Sequence, residues 1–188
     1  IPNYWVIRPA DASETREACR AAIERRDGPT ALILTRQKLP VLDRTRLNSS
    51  EGLRKGAYVL WESAISPELI LIGSGSEVHL VLQAGRHLAE KGRKVRVVSM
   101  PCWELFDSQS QEYKDSTLPP EVKSRLAVEA AAPLGWERWV GSSGDILAVT
   151  TFGRSAPGNL ILEKYGFTVD NVIVRAEALL ERSRTSFK

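Results

Sequence analysis

Leu69-Ile70-Leu71-Ile72-Gly73-Ser74-Gly75-Ser76-Glu77-Val78 is the stretch from which the architecture can be argued. Four consecutive apolar residues ending in a Gly/Ser cluster predict a strand covered on both faces, as in a parallel sheet. Beyond the cluster, Val78, Val81, Leu82, Gly85, Leu88 and Ala89 recur at helical spacing, which predicts a helix over about 77–91 that Gly92 stops. Val95-Arg96-Val97-Val98-Ser99 then predicts the next strand. A strand, a crossover helix and a strand make a parallel pair with a right-handed connection.

The same alternation continues downstream. Leu126-Ala127-Val128-Glu129-Ala130 and Ile146-Leu147-Ala148-Val149-Thr150 read as strands. Pro101 to Asp107 reads as an aromatic-rich turn, 109–115 as a short helix and Trp136 to Val140 as an amphipathic turn. Helices near 157–165 and 169–183 close the chain, with Gly166 between them and Thr168 as an N-cap; 183–188 is expected to fray. Upstream, Ala57 to Trp61 predicts a strand. The fold class is therefore α/β: a three-layer, mainly parallel sheet with helices on both faces.

Ahead of it lies a looser strand–helix–strand. Tyr4-Trp5-Val6-Ile7 predicts a strand that Arg8-Pro9 ends. Asp11 or Ser13 can cap a helix over 13–26, whose apolar positions are Ala18, Cys19, Ala22 and Ile23. Ala31-Leu32-Ile33-Leu34-Thr35 predicts another strand buried on both faces. Residues 43–56 are polar without an apolar period and read as a linker, so 1–42 and 57–188 form separate units.

Composition excludes several function classes. Hydrophobic residues make up 43% and charged residues 26% of 188, enough for a core without staples. Cys19 and Cys102 form no C-x-x-C pair, which argues against a disulfide framework or zinc site and fits a reducing compartment. The net charge of +3 is local: 11 Lys/Arg against 7 Asp/Glu in 1–56, and 15 against 16 in 57–188. That is too dilute for a nucleic-acid footprint. No apolar run approaches the ~20 residues of a membrane helix, so no membrane partner is expected. Ile1 begins in mid-pattern, as if the sequence continued upstream.

Few residues suggest chemistry. The Gly73 to Glu77 turn, between a strand and a helix, fits either an anion site or a tight turn capped by Ser74 or Ser76. Val78 stands where a dinucleotide fingerprint has its third glycine. His79 and His87 lie two helical turns apart, too far to share a metal, and read as surface or edge histidines. Ser155 lacks the second glycine of a nucleophile elbow, since Pro157 replaces it, and reads as a cap. Trp103, Trp136 and Trp139 read as core or interface anchors, and a self-association surface is one outcome. Arg36 follows a predicted strand, with Gln37 and Lys38 beside it. Carboxyl ends of parallel strands bind ligands, and a guanidinium there can grip a phosphate with two bonds. A solvated surface arginine fits the same spacing.

Several stretches together resemble the transketolase family. They are Val6-Ile7-Arg8-Pro9-Ala10-Asp11, Arg26-Asp27-Gly28-Pro29-Thr30 through Thr35-Arg36-Gln37, Lys55-Gly56-Ala57-Tyr58-Val59-Leu60 and Gly75-Ser76-Glu77-Val78. Val95 through Met100-Pro101, Trp103-Glu104-Leu105-Phe106-Asp107, Leu118-Pro119-Pro120-Glu121-Val122, Thr151-Phe152-Gly153 with Ser155-Ala156-Pro157, and Tyr165 through Val172 follow in the same order. The pattern loosens over 131–136.

The resemblance implies a parent enzyme that is a homodimer and moves a two-carbon ketol unit between sugar phosphates. It implies thiamine diphosphate and Mg2+ or Ca2+ as cofactors of that parent. It also implies three α/β domains, of which 1–42 would be the tail of the pyrimidine-binding second and 57–188 the third, which mainly supports the dimer. The Gly-Asp-Gly…Asn metal motif, the glutamate that activates the cofactor and the family's active-site histidines are not in this sequence. The chain is thus expected to hold no catalytic, cofactor-binding or metal-binding residue and to be inactive alone. Arg36 is expected to contact the substrate phosphate, as the arginine of the family's Thr-Arg-Gln segment. Cytoplasm or plastid stroma is the expected location. A stand-alone association module binding a small anion at 73–77, or a subunit of a split transketolase, are the alternatives.

Overall fold

A computed structural model describes residues 2–185. The main sheet has five strands: β3 (Tyr58–Glu62), β4 (Leu69–Gly73), β5 (Val95–Ser99), β6 (Arg125–Glu129) and β7 (Asp145–Ala148), in the order β3-β5-β4-β6-β7. Strands β4 to β7 are parallel, and β3 pairs antiparallel with β5 at one edge. Helices lie on both faces, as the alternation of strand and helix patterns predicts.

Side chains of a strand alternate between faces, and this sorts the core into two layers. Leu69 and Leu71 of β4 face one side with Val95, Val97, Leu126 and Val128, under α2 (Glu77–Glu90) and the closing helix α7 (Val169–Thr185). Ile70 and Ile72 face the other side with Val98 and Ala127. There they meet α3 (Trp103–Asp107), α4 (Gln111–Thr117) and α5 (Glu137–Val140). All five β4 residues are buried. Each fully buried Leu or Ile side chain contributes about 1.5–3 kcal/mol.

Helix α2 sits close on the sheet because Gly85 has no side chain. A Cβ there would meet Val97 Cγ2 at 2.7 Å. Trp136 and Trp139 lie inside this core rather than on an association surface, and Trp103, half-buried, meets Trp136 edge to face at 5.0 Å.

The leading segment forms a second, two-stranded parallel sheet, β1 (Trp5–Ile7) with β2 (Thr30–Leu32), crossed by α1 (Ala12–Glu24). Asp11 caps α1, its carboxylate accepting from the Glu14 amide at 2.8 Å. Two expectations fail here. The run 31–35 is not buried on both faces: β2 ends at Leu32, and Ile33 and Leu34 are exposed, because within the described residues only one face of this small sheet is covered. The buried face of α1 is Glu14, Glu17, Ala18 and Ala21, whereas Ile23 is 71% exposed. Glu14 and Glu17 occupy the buried face in place of Cys19, Ala22 and Ile23 of the expected stripe.

The polar stretch 43–56 is packed rather than slack. Leu47 and Leu53 are buried, and Ser50–Lys55 forms a 3-10 turn capped by Ser49. Gly56 ends that turn at φ +84, and a Cβ there would lie 2.1 Å from the Phe106 amide nitrogen, so only glycine fits. At the C-terminus, 183–185 do not fray: α7 runs to Thr185, and Ser183 Oγ pairs with Ser124 Oγ at 2.6 Å. Residues 186–188, also expected to fray, lie outside the described residues.

Candidate functional site

Arg36 stands just past the carboxyl end of β2, in a bend of exposed residues from Ile33 to Lys38. The Gln37 amide donates to Thr35 Oγ1 at 3.1 Å, which tightens the bend. Gln37 itself packs beside Gly158, the first residue of α6 (Gly158–Lys164). With Ser76, His79, Gln83 and Leu162 it borders a groove of about 210 Å3. The Arg36 guanidinium makes no hydrogen bond or ion pair with any described residue. An exposed fork of donors at a strand end can bind a phosphate bidentately.

The 73–77 turn is filled by protein. Arg8 extends from the carboxyl end of β1: its amide donates to Pro101 O at 2.9 Å and its carbonyl accepts from the Gly75 amide at 2.9 Å. Its guanidinium pairs with Glu77 at 3.2 Å and with Glu129. Ser74 Oγ donates to Glu129 Oε2 at 2.6 Å, and Ser76 Oγ to Glu77 Oε1 at 2.5 Å. Both carboxylates are buried. One guanidinium compensated by two carboxylates leaves no net positive charge for an anion, so the turn is not the anion site that its sequence allows. Nor does either serine cap α2, because each hydroxyl is spent on a carboxylate.

A second polar cluster lies alongside. Glu14, fully buried, accepts from Tyr58 Oη and Ser99 Oγ, each at 2.7 Å, and from the Ala10 amide at 2.8 Å. Burial pushes its carboxyl above the usual range, opposed by the bonds from Tyr58, the Ala10 amide and Ser99 and by the charge of Arg44. Arg44 donates to Tyr58 Oη at 2.8 Å and pairs with Asp11 at 3.2 Å. Burial and the neighbouring Glu14 also push the Tyr58 hydroxyl up. These groups bond chiefly to one another across the junction and so cement the two sheets together, although Arg44 Nε is buried without a partner.

The remaining sequence candidates fall into place. His79, half-buried, bonds the Ala10 carbonyl through Nε2 at 2.9 Å, and His87 is exposed beside Glu90. Ser155 lies in an exposed loop and does not cap α6, whose N-cap position is Pro157, two residues on. Burial pushes the Cys102 thiol up to about 12, which keeps it protonated and inert. Among the described residues no group of three or more His, Cys, Asp or Glu side chains could hold a metal ion. Among them also, no helix is long and apolar enough to cross a membrane.

Sequence reasoning missed Arg8, Glu14, Glu77 and Glu129. The usable signal was a charged residue closing an otherwise apolar strand, as Glu129 closes Leu126-Ala127-Val128. A lone charge in such a place needs a partner from elsewhere in the fold.

Residues 56–168 match the family model of the transketolase-like TK C-terminal domain, and residues 1–41 that of the transketolase pyrimidine binding domain. A transketolase of Staphylococcus aureus (strain MW2) is 51% identical over 179 residues, covering 95% of this chain and 27% of the relative. A transketolase of Aquifex aeolicus (strain VF5) is 51% identical over 172 residues, covering 92% and 25%. The solved transketolase from Leishmania mexicana superposes with a TM-score of 0.88 at 38% identity, covering 96% of this chain and 26% of that one. The chain thus spans about a quarter of the length of these relatives.

Proposed function

The chain belongs to the transketolase family, and we propose that it serves within a longer enzyme that transfers a two-carbon ketol unit from a ketose phosphate to an aldose phosphate. In this proposal 1–42 are the end of the pyrimidine-binding domain, 43–56 the connection and 57–188 the C-terminal domain, which supports a homodimer. The family model matched by 1–41 ties the chain to thiamine diphosphate use in the family. That cofactor, with Mg2+ or Ca2+, supplies the carbon–carbon bond chemistry when bound. The residues present here do not fit it. The Gly-Asp-Gly…Asn motif is not in the sequence, and no described cluster suits a metal. Its site is therefore assigned to parts of the enzyme outside this chain. A reducing compartment, cytoplasm or plastid stroma, is consistent with two unpaired cysteines.

This chain's own contribution to substrate is Arg36. One observation carries that assignment: the guanidinium stands unpaired at the carboxyl end of a parallel strand, while Arg8 and Arg44 at the junction are compensated by buried carboxylates. Arg36 binds and orients the sugar phosphate and transfers no proton. A charge-assisted bond of this kind is worth about 1.5–3 kcal/mol. In the complete enzyme, Arg36→Ala should therefore raise KM for a phosphorylated ketose about tenfold or more and leave an unphosphorylated ketose nearly unchanged. Equal effects on both would refute the phosphate role. The isolated chain, supplied with thiamine diphosphate and magnesium, should give no turnover; measurable ketol transfer would refute the division of labour proposed here.

A further inference from the structure

The sheet order β3-β5-β4-β6-β7 contains a reversal. From β4 the chain crosses to β5 on one side, and from β6 it crosses to β7 on the other. The crevice outside the carboxyl ends of two such strands is where open α/β sheets hold ligands. In this protein that crevice is a cavity of about 300 Å3, bordered by Ser74 after β4, Met100 after β5 and Glu129 at the end of β6. The size suits a small organic molecule.

The walls define its chemistry. Trp103, half-buried, supplies aromatic surface with the buried Trp136 edge to face behind it, and Leu134, 79% exposed, stands at the mouth. Among the described residues Arg8 is the only cation bordering the cavity, and Glu77 and Glu129 already compensate it. Glu104 also borders the cavity and is exposed. Its Oε2 accepts from Cys102 Sγ at 3.3 Å and from the Val6 amide at 3.4 Å, but it has no cationic partner among the described residues. The cavity therefore combines π faces with surplus negative charge. An anion would meet carboxylates without a free cation; a flat cation would meet the half-buried Trp103 ring and Glu104.

We propose that this switch-point cavity binds a small planar organic cation, an amidinium or a protonated aminoheterocycle, with its ring against Trp103 and its charge on Glu104. The site is separate from Arg36 and opposite in charge preference, so sugar phosphates are not its ligands.

Benzamidine is a suitable probe and benzoate its anionic counterpart. With the full chain, titration followed by tryptophan fluorescence and saturation-transfer NMR should show saturable binding of benzamidine and none of benzoate. Glu104→Gln keeps the shape and removes the charge, and should weaken benzamidine about threefold or more, the scale of an exposed ion pair. Leu134→Arg changes only an exposed residue at the mouth, keeps the far-UV spectrum, and should abolish the saturable signal. Benzoate binding as tightly as benzamidine, no saturation with benzamidine, or affinity unchanged in both variants would overturn the proposal.

Discussion

Arg8 carries more structural weight than any other single charge at the junction, because it is the one cation between Glu77 and Glu129. Removing one partner of a buried pair costs about 3–5 kcal/mol when the remaining charge is fully enclosed. Arg8 is 23% exposed, so some water reaches it and the low end applies. Arg8→Met should destabilise the chain by about 3 kcal/mol at pH 7 in urea unfolding. Glu14 gives the complementary case. Its folded pKa is raised mainly by burial, so the folded chain holds a proton that the unfolded chain has released. The unfolded state then binds fewer protons, and stability falls as pH rises from the ordinary carboxylate value of 4.5 toward the raised folded one. Glu14→Gln cannot titrate. The stability of the natural chain relative to this variant should therefore decrease across that window, and a flat difference would show that the bonds to Tyr58, Ser99 and Ala10 fully offset burial. None of this was legible in the sequence, where Glu14 is one carboxylate among 23 acidic residues and its partners Tyr58 and Ser99 lie 44 and 85 positions away.

At the level of elements, legibility followed how local the deciding physics is. Strand β4 and helix α2 were readable because both are covered by the same domain that their pattern implies: every β4 residue is buried, and Val78, Val81, Leu82 and Leu88 all enter the core. Helix α1 was placed correctly by its cap but rotated wrongly, since the pairing of Glu14 across the junction overrides the preference of Ile23 for the interior. Strand β2 was found, yet the expected burial on both faces was not, because an apolar run does not say what covers it and no described residue covers Ile33 and Leu34. Arg36 was singled out from its place after that strand, and its free guanidinium agrees with a binding role that only a substrate titration can test. The contact between α2 and β5 gives a sharp prediction. Gly85→Ala gains helix propensity worth up to about 1 kcal/mol but pushes a methyl into Val97. Overpacking a core costs about 1–3 kcal/mol. The net effect should be a loss of about 1 kcal/mol with a small fall in the urea midpoint, partly restored by Val97→Ala, which removes the clashing methyl.

For the molecule as a whole, the question is whether two sheets make two folding units. The linker reading of 43–56 implies that they do, but three sets of contacts join them. Ile7, Ala18 and Ala21 share a core with Leu53, Cys102 and Leu105; Arg8 reaches Glu77 and Glu129; Glu14 reaches Tyr58 and Ser99. A two-stranded sheet with one helix buries too little to stand alone. Its stability must come from the junction, so the chain should unfold in a single transition. Trp5 reports on the small sheet, and Trp61, Trp103, Trp136 and Trp139 on the large one. Variants keeping only one of these sets of tryptophans should give coincident urea curves by fluorescence and circular dichroism, the test of two-state behaviour. Leu53 is fully buried where the two units meet. Leu53→Ala should cost about 2–5 kcal/mol and pull the Trp5 curve to lower urea than the other four, because the cavity opens between the sheets and not inside either. If both curves shift together by the same amount, the 43–56 stretch belongs to one continuous core; if they are already separate in the natural chain, the junction contacts are too weak to couple the sheets.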